Sequence, residues 1–161
     1  MYFCIMKKLT YLIFALFVLS SCSKPDEPED LTVYTYSHTN NEIDLFDKLN
    51  EFRTNLGLTP FTMVEHVSYK CMEHNEYMIQ NNLANNNYFN DRATNIQKVC
   101  NATRVGEIIA YNYQTNNSTM NAWINSPCRD VMVNPNYIRV GLSIRENPTN
   151  NKKYYTVIFL N

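Results

Sequence analysis

At 161 residues, 45% of them hydrophobic, the chain can bury the core of one domain and is short for two. Fourteen Lys and Arg against fifteen Asp and Glu leave a net charge of −1, with the cations scattered along the chain. No long-range field gathers nucleic acid, which is excluded as an expected partner.

The first element in chain order is a targeting segment. Met6-Lys7-Lys8 precedes an apolar run over residues 9–19 that closes on Leu19-Ser20-Ser21-Cys22. The run is about half the ~20 residues a spanning helix needs, and the lysines supply a positive n-region, so residues 1–21 read as a signal peptide. Cys4 and the other residues before Met6 read as an over-called start. Small residues ahead of Cys22 resemble the bacterial lipobox, which implies that Cys22 is lipidated and that the membrane is a partner through this lipid. A multiply acylated cysteine exceeds the two-signal threshold for stable anchoring, at ~0.8 kcal/mol per buried CH₂. Residues 23–30, Ser-Lys-Pro-Asp-Glu-Pro-Glu-Asp, are acidic and proline-rich with nothing to bury, and residues 22–40 read as a tether. Disordered throughout, it has an r.m.s. reach of about 25 Å. The acidic run also resembles the surface-export signal of Bacteroidetes lipoproteins, which implies the outer membrane or cell surface of a Gram-negative bacterium.

The folded domain is expected over residues 41–161. Ile43, Phe46, Leu49, Phe52 and Leu56 recur at helical spacing, Asn41 and Asp44 are placed like a capping box, and Gly57 followed by Pro60 stops the run. A second helix is expected over residues 63–81, with Val64, Val67, Cys71, His74 or Asn75, and Met78 on its buried face. On that stripe His74 reads as a hydrogen-bonded core residue and Cys71 as a small buried hydrophobe. The runs Asn81-Asn82 and Asn85-Asn86-Asn87 can offer a hydrogen-bonding surface but more simply reflect codon bias. A third helix is expected from an N-cap at Ser118, through Met120, Trp123 and Ile124, to Pro127. Residues 106–113, 140–145 and 154–160 read as extended, the last two joined by the turn-forming Glu146-Asn147-Pro148-Thr149-Asn150-Asn151. Helices around a small, mostly antiparallel sheet make an α+β fold.

Several short motifs together resemble one family. Leu49-Asn50-Glu51-Phe52-Arg53 with Gly57-Leu58 is similar to the opening helix of bacterial CAP (SCP-like) domains, the superfamily of cysteine-rich secretory, antigen 5 and pathogenesis-related proteins. His74-Asn75-Glu76-Tyr77-Met78, Gly106-Glu107-Ile108-Ile109-Ala110-Tyr111, Trp123-Ile124-Asn125-Ser126-Pro127, Asn134-Pro135-Asn136-Tyr137 with Val140-Gly141, and Tyr154-Tyr155-Thr156 continue the likeness in order. The resemblance implies an α-β-α sandwich whose concave face carries two histidines and two acidic residues able to hold a divalent metal.

Carried over residue by residue, that site is depleted. Glu107 matches the first glutamate, Asn86 takes the place of the first histidine, Ser126 stands at the second acidic position, and Ser126-Pro127-Cys128-Arg129 lacks the second histidine. One carboxylate among neutral amides falls short of a zinc site, and asparagine cannot exchange protons near neutral pH, so neither a divalent metal nor another cofactor is expected. An altered site built from Cys128, Glu107 and Asp91 is the alternative. Cys100 and Cys128 are the cysteines left to pair in an oxidising compartment, against the alternative of two free thiols; a bridge would contribute roughly 3–4 kcal/mol in the loop-entropy model. The sequons at Asn101 and Asn117 carry no weight in a chain with a bacterial lipobox. The leading functional reading is a tethered, degenerate CAP domain that binds a protein, glycan or lipid ligand. A hydrolase of peptides or another polymer around Glu107, and a lipid- or sterol-binding protein, are the competing readings.

Overall fold

A computed structural model describes residues 31–161. The signal segment, Cys22 and the acidic run lie outside the described residues. The elements, in order, are α1 (Asn40–Asn55), β1 (Thr62–Met63), α2 (Glu65–Gln80), α3 (Phe89–Val99), β2 (Val105–Tyr111), α4 (Asn116–Ile124), α5 (Cys128–Met132), β3 (Arg139–Glu146) and β4 (Lys153–Leu160).

The sheet order is β1-β3-β4-β2, antiparallel except for the short parallel pairing of β1 with β3. Central β4 is buried at every residue after Lys153, because both its faces are covered. Tyr155, Val157 and Phe159 pack on one side with Leu45 and Leu49 of α1, Met120 and Trp123 of α4, and Met132 of α5. Ile158 and Leu160 pack on the other with Val67 and Cys71 of α2 and Ile96 of α3. Period-two alternation in one strand therefore feeds two cores, giving the expected α+β, α-β-α sandwich.

Several boundaries differ from the sequence-based expectation. The capping box of α1 is Thr39 with Glu42 rather than Asn41 with Asp44: the Thr39 hydroxyl accepts from the Glu42 N–H at 3.3 Å, and the Glu42 carboxylate accepts from the Thr39 N–H at 2.8 Å. The face of α1 that is fully buried runs through Glu42, Leu45, Leu49 and Arg53, while Ile43 and Leu56 are exposed. Arg53 can be buried because its guanidinium donates to the carbonyls of Thr59, Met132, Asn134 and Tyr137, lying over the Phe61 ring. The N-cap of α4 is Thr115, with Ser118 as its reciprocal partner three residues on. Elements β1, α3 and α5 were absent from the expectation; of the residues of α3 only Ile96 is fully buried.

The expected tether does not run free to residue 40. Tyr34 stacks on Tyr69 with ring centroids 4.2 Å apart, the Tyr36 hydroxyl donates to Glu42 at 2.6 Å, and His38 Nε2 lies 2.8 Å from the Ser68 hydroxyl. Residues 34–38 form a strap across α2 and β3. The cysteine pairing also differs, since Cys71, Cys100 and Cys128 are all free thiols. Cys100 packs against the Val67–Ile158 core and Cys128 against the Trp123–Phe159 core, so the sheet stands between them.

Candidate functional site

Glu107 projects from β2 toward α2 and α3, and its side chain is 1% exposed. A carboxylate so far from water needs strong donors. Arg92, one turn into α3, supplies a fork: Nε donates to Oε2 at 3.0 Å and Nη2 to Oε1 at 2.7 Å. Asn86 Nδ2 donates to Oε1 at 2.9 Å. The third guanidinium nitrogen of Arg92 donates to the Asn87 carbonyl at 2.7 Å, tying the fork to the loop ahead of α3. That loop ends on Tyr88 in the left-handed region, φ 59°, which turns the chain into α3 and aims Arg92 back at the strand.

His74 completes the arrangement from α2. Its Nε2 lies 2.8 Å from the Asn85 carbonyl, a bond it makes as donor, and 3.9 Å from Glu107 Oε1. Burial and the neighbouring Arg92 guanidinium push its pKa down, opposed by Glu107. The neutral tautomer with its proton on Nε2 leaves Nδ1 as a buried acceptor without a partner among the described residues. His74 is thus the hydrogen-bonded core residue expected.

The structure brings Asn86 and Glu107, two of the candidate cleft residues, into contact. Ser126 and Cys128 form a separate pair at the turn between α4 and α5, where the Ser126 hydroxyl donates to the Trp123 carbonyl at 3.0 Å and accepts from the Cys128 N–H at 3.3 Å. They border a groove of about 310 Å³ with Ile109, Tyr111, Tyr113, Ala122 and Trp123. Among the described residues no hydrogen bond or ion pair joins them to Glu107. Asp91 is exposed, and the described residues contain no cluster of three or more His, Cys, Asp or Glu side chains. The altered Cys128–Glu107–Asp91 site is not assembled.

The divalent metal implied by the family resemblance does not fit this donor set. Both Glu107 oxygens are held by a guanidinium, Asn86 contributes an amide, and His74 is hydrogen-bonded to the Asn85 carbonyl. The same bonds withhold Glu107 from general-base work. Sequence reasoning missed the role of Arg92, because its fork joins α3 to β2 through a contact that only the fold brings about.

No curated protein matches the sequence at a significant level. Among solved structures, an outer surface protein from Borrelia burgdorferi superposes with a TM-score of 0.67 at 18% identity, covering 81% of this chain and 98% of that one. An extracellular protein containing an SCP domain from Bacillus anthracis gives 0.65 at 20% identity, over 75% of this chain and 40% of its own length. Venom allergen-like protein 4 of Schistosoma mansoni gives 0.60 at 12% identity, over 76% and 89%. At these identities the likeness establishes the fold alone. The sequence itself matches the CAP family, described as the cysteine-rich secretory protein family, over residues 46–159, and the chain belongs to that family.

Proposed function

We propose that this chain is a lipid-anchored protein of the bacterial envelope, displayed on the outer membrane or cell surface, whose CAP domain is a binding module rather than a catalyst. The observation that carries the reading is the occupied carboxylate. The acid that matches the family's first glutamate is buried and accepts three hydrogen bonds from Arg92 and Asn86 of its own chain. Breaking those bonds to free a base or a metal ligand would strand a charge away from water. The location is supported by the signal-like segment ending at Cys22, and by the printed descriptions of two similar structures as an outer surface and an extracellular protein.

Two measurements test it. Zinc titrated calorimetrically into the purified full-length chain is expected to give no micromolar binding; micromolar binding abolished by Glu107→Ala overturns the non-catalytic reading. Radiolabelled palmitate is expected to enter the wild-type chain in bacteria and not Cys22→Ala. Equal labelling of the two sinks the anchor.

A further inference from the structure

Among the described residues strand β2 pairs only with β4, which leaves its other edge without a strand partner there. The ladder fixes which residues face that edge. Asn112 N–H donates to the Lys153 carbonyl, which makes 112, 110, 108 and 106 the residues bonded to β4 and turns 105, 107, 109 and 111 outward. The Trp123 indole agrees, since it reaches the outward carbonyl of Ile109 at 2.9 Å. The outward N–H of Ile109, and both the N–H and C=O of Tyr111, have no partner among the described residues.

Edge strands are commonly blunted by proline, charge or a bulge. From Ile108 to Tyr111 there is no proline and no charged residue, and the register against β4 is unbroken. Beside this stretch lies the groove of about 310 Å³, bordered by Tyr111, Tyr113, Ala122, Trp123 and Cys128, with no charged side chain along it. Of the three hydroxyls at its border, that of Ser126 is already committed to the Trp123 carbonyl and the Cys128 N–H, and Tyr111 and Tyr113 carry the other two.

We infer that the open edge of β2 at Ile109–Tyr111 and the adjoining groove take an extended peptide, which adds as a strand and seats a neutral, apolar side chain beside Trp123. The spacing of the open groups carries the choice of partner: the N–H of Ile109 and the N–H and C=O of Tyr111, two residues apart on one strand edge, are matched by another extended main chain. This rests on the binding-module reading and names the class of its ligand.

The test selects random linear peptides on phage against the purified full-length chain and measures the winners by calorimetry. Tyr111→Pro removes an outward N–H and no bond to β4, so the fold is retained while the edge is blocked. Ala122→Arg fills the groove by a separate route. Selected peptides are expected to lose about tenfold or more in affinity to both variants, whose circular dichroism stays that of the wild type. N-methylation at alternate peptide residues is expected to abolish binding and at the intervening ones to spare it. Failure to select any peptide, or peptides indifferent to both variants and to methylation parity, overturns the inference. Dimers of the chain that Tyr111→Pro dissolves in light scattering also overturn it, in favour of a second copy. Binding of a glycan array or of phosphatidylglycerol vesicles in place of peptides overturns it while leaving the binding-module reading intact, whereas hydrolysis of the selected peptides overturns that reading itself.

Discussion

Glu107 and Arg92 are 1% and 10% exposed, which puts their pairing among buried ion pairs rather than surface ones. For such pairs the loss of one partner costs far more than the pair is worth, because the survivor keeps its desolvation penalty. Arg92→Ala is therefore expected to destabilise the domain by about 3–5 kcal/mol in urea denaturation, and the double variant Arg92→Leu with Glu107→Leu by much less. Equal losses in the single and double variants would show that the guanidinium acts through packing alone. His74 adds a pH dependence whose sign follows from its depressed pKa, set by burial and Arg92, and His38 on the strap is depressed by burial as well. The unfolded histidines take up protons below about 6.5 while the folded ones resist. Stability is full above that value and declines as the pH falls toward the folded pKa. Between about pH 7 and 5 the unfolding free energy of His74→Gln is expected to fall less steeply than that of the wild type.

At the scale of elements, the packing of α2 on β3 depends on a missing side chain. A Cβ at Gly141 would lie 2.4 Å from the Ser68 nitrogen and 2.5 Å from the Val67 carbonyl carbon, both helix backbone that cannot swing aside. Gly141→Ala is expected to cost at least the ~1–3 kcal/mol typical of overpacking. Gly57→Ala, at φ +72° with nothing within 4 Å, costs only the ~1–2 kcal/mol of a left-handed alanine. A thermal melt of the two variants checks the order. What the sequence made legible follows the same physics. The three long strands, the α2 stripe and the hairpin turn were readable because apolar periodicity and turn chemistry are local. The buried face of α1 was not, since its Glu42 and Arg53 look like solvent residues until donors and carbonyls from β3, from the strap and from the loops around 59 and 132–137 are placed around them. Helix α3 was missed although Phe89, Ala93 and Ile96 recur at helical spacing; the Arg92 fork that ties it to β2 joins residues fifteen apart and leaves no local pattern. In the candidate site, Asn86 and Glu107 were legible from the family resemblance, whereas the closure of Glu107 by Arg92 is a tertiary fact.

For the whole molecule, the strap sets where the domain begins. Tyr34 is twelve residues beyond Cys22, so on the proposal that Cys22 carries the lipid, the domain lies within roughly 43 Å of it however the intervening chain is arranged. The strap also completes the core it crosses. Burial alone would raise the pKa of Glu42, yet the Tyr36 hydroxyl and the N–H groups of Ile144 and Thr39 outweigh it and hold the carboxyl below its ordinary range. Tyr36 is in turn pushed up to about 12 by burial and by Glu42. A depressed carboxyl contributes stability that is complete above the ordinary carboxylate range and is lost as the pH falls through the folded value. Tyr36→Phe deletes one of those donors while keeping the ring. It is expected to cost about 1–3 kcal/mol at neutral pH, the range for weakening a hydrogen bond to a buried charge, and to move acid unfolding to a higher pH. A chain started at Asn40 loses Tyr36 together with the Thr39 half of the capping box, so its urea midpoint should fall below that of Tyr36→Phe. If the truncated chain instead unfolds at the same midpoint as one started at Leu31, the strap is only laid on the surface, and Glu42 is held by β3 alone.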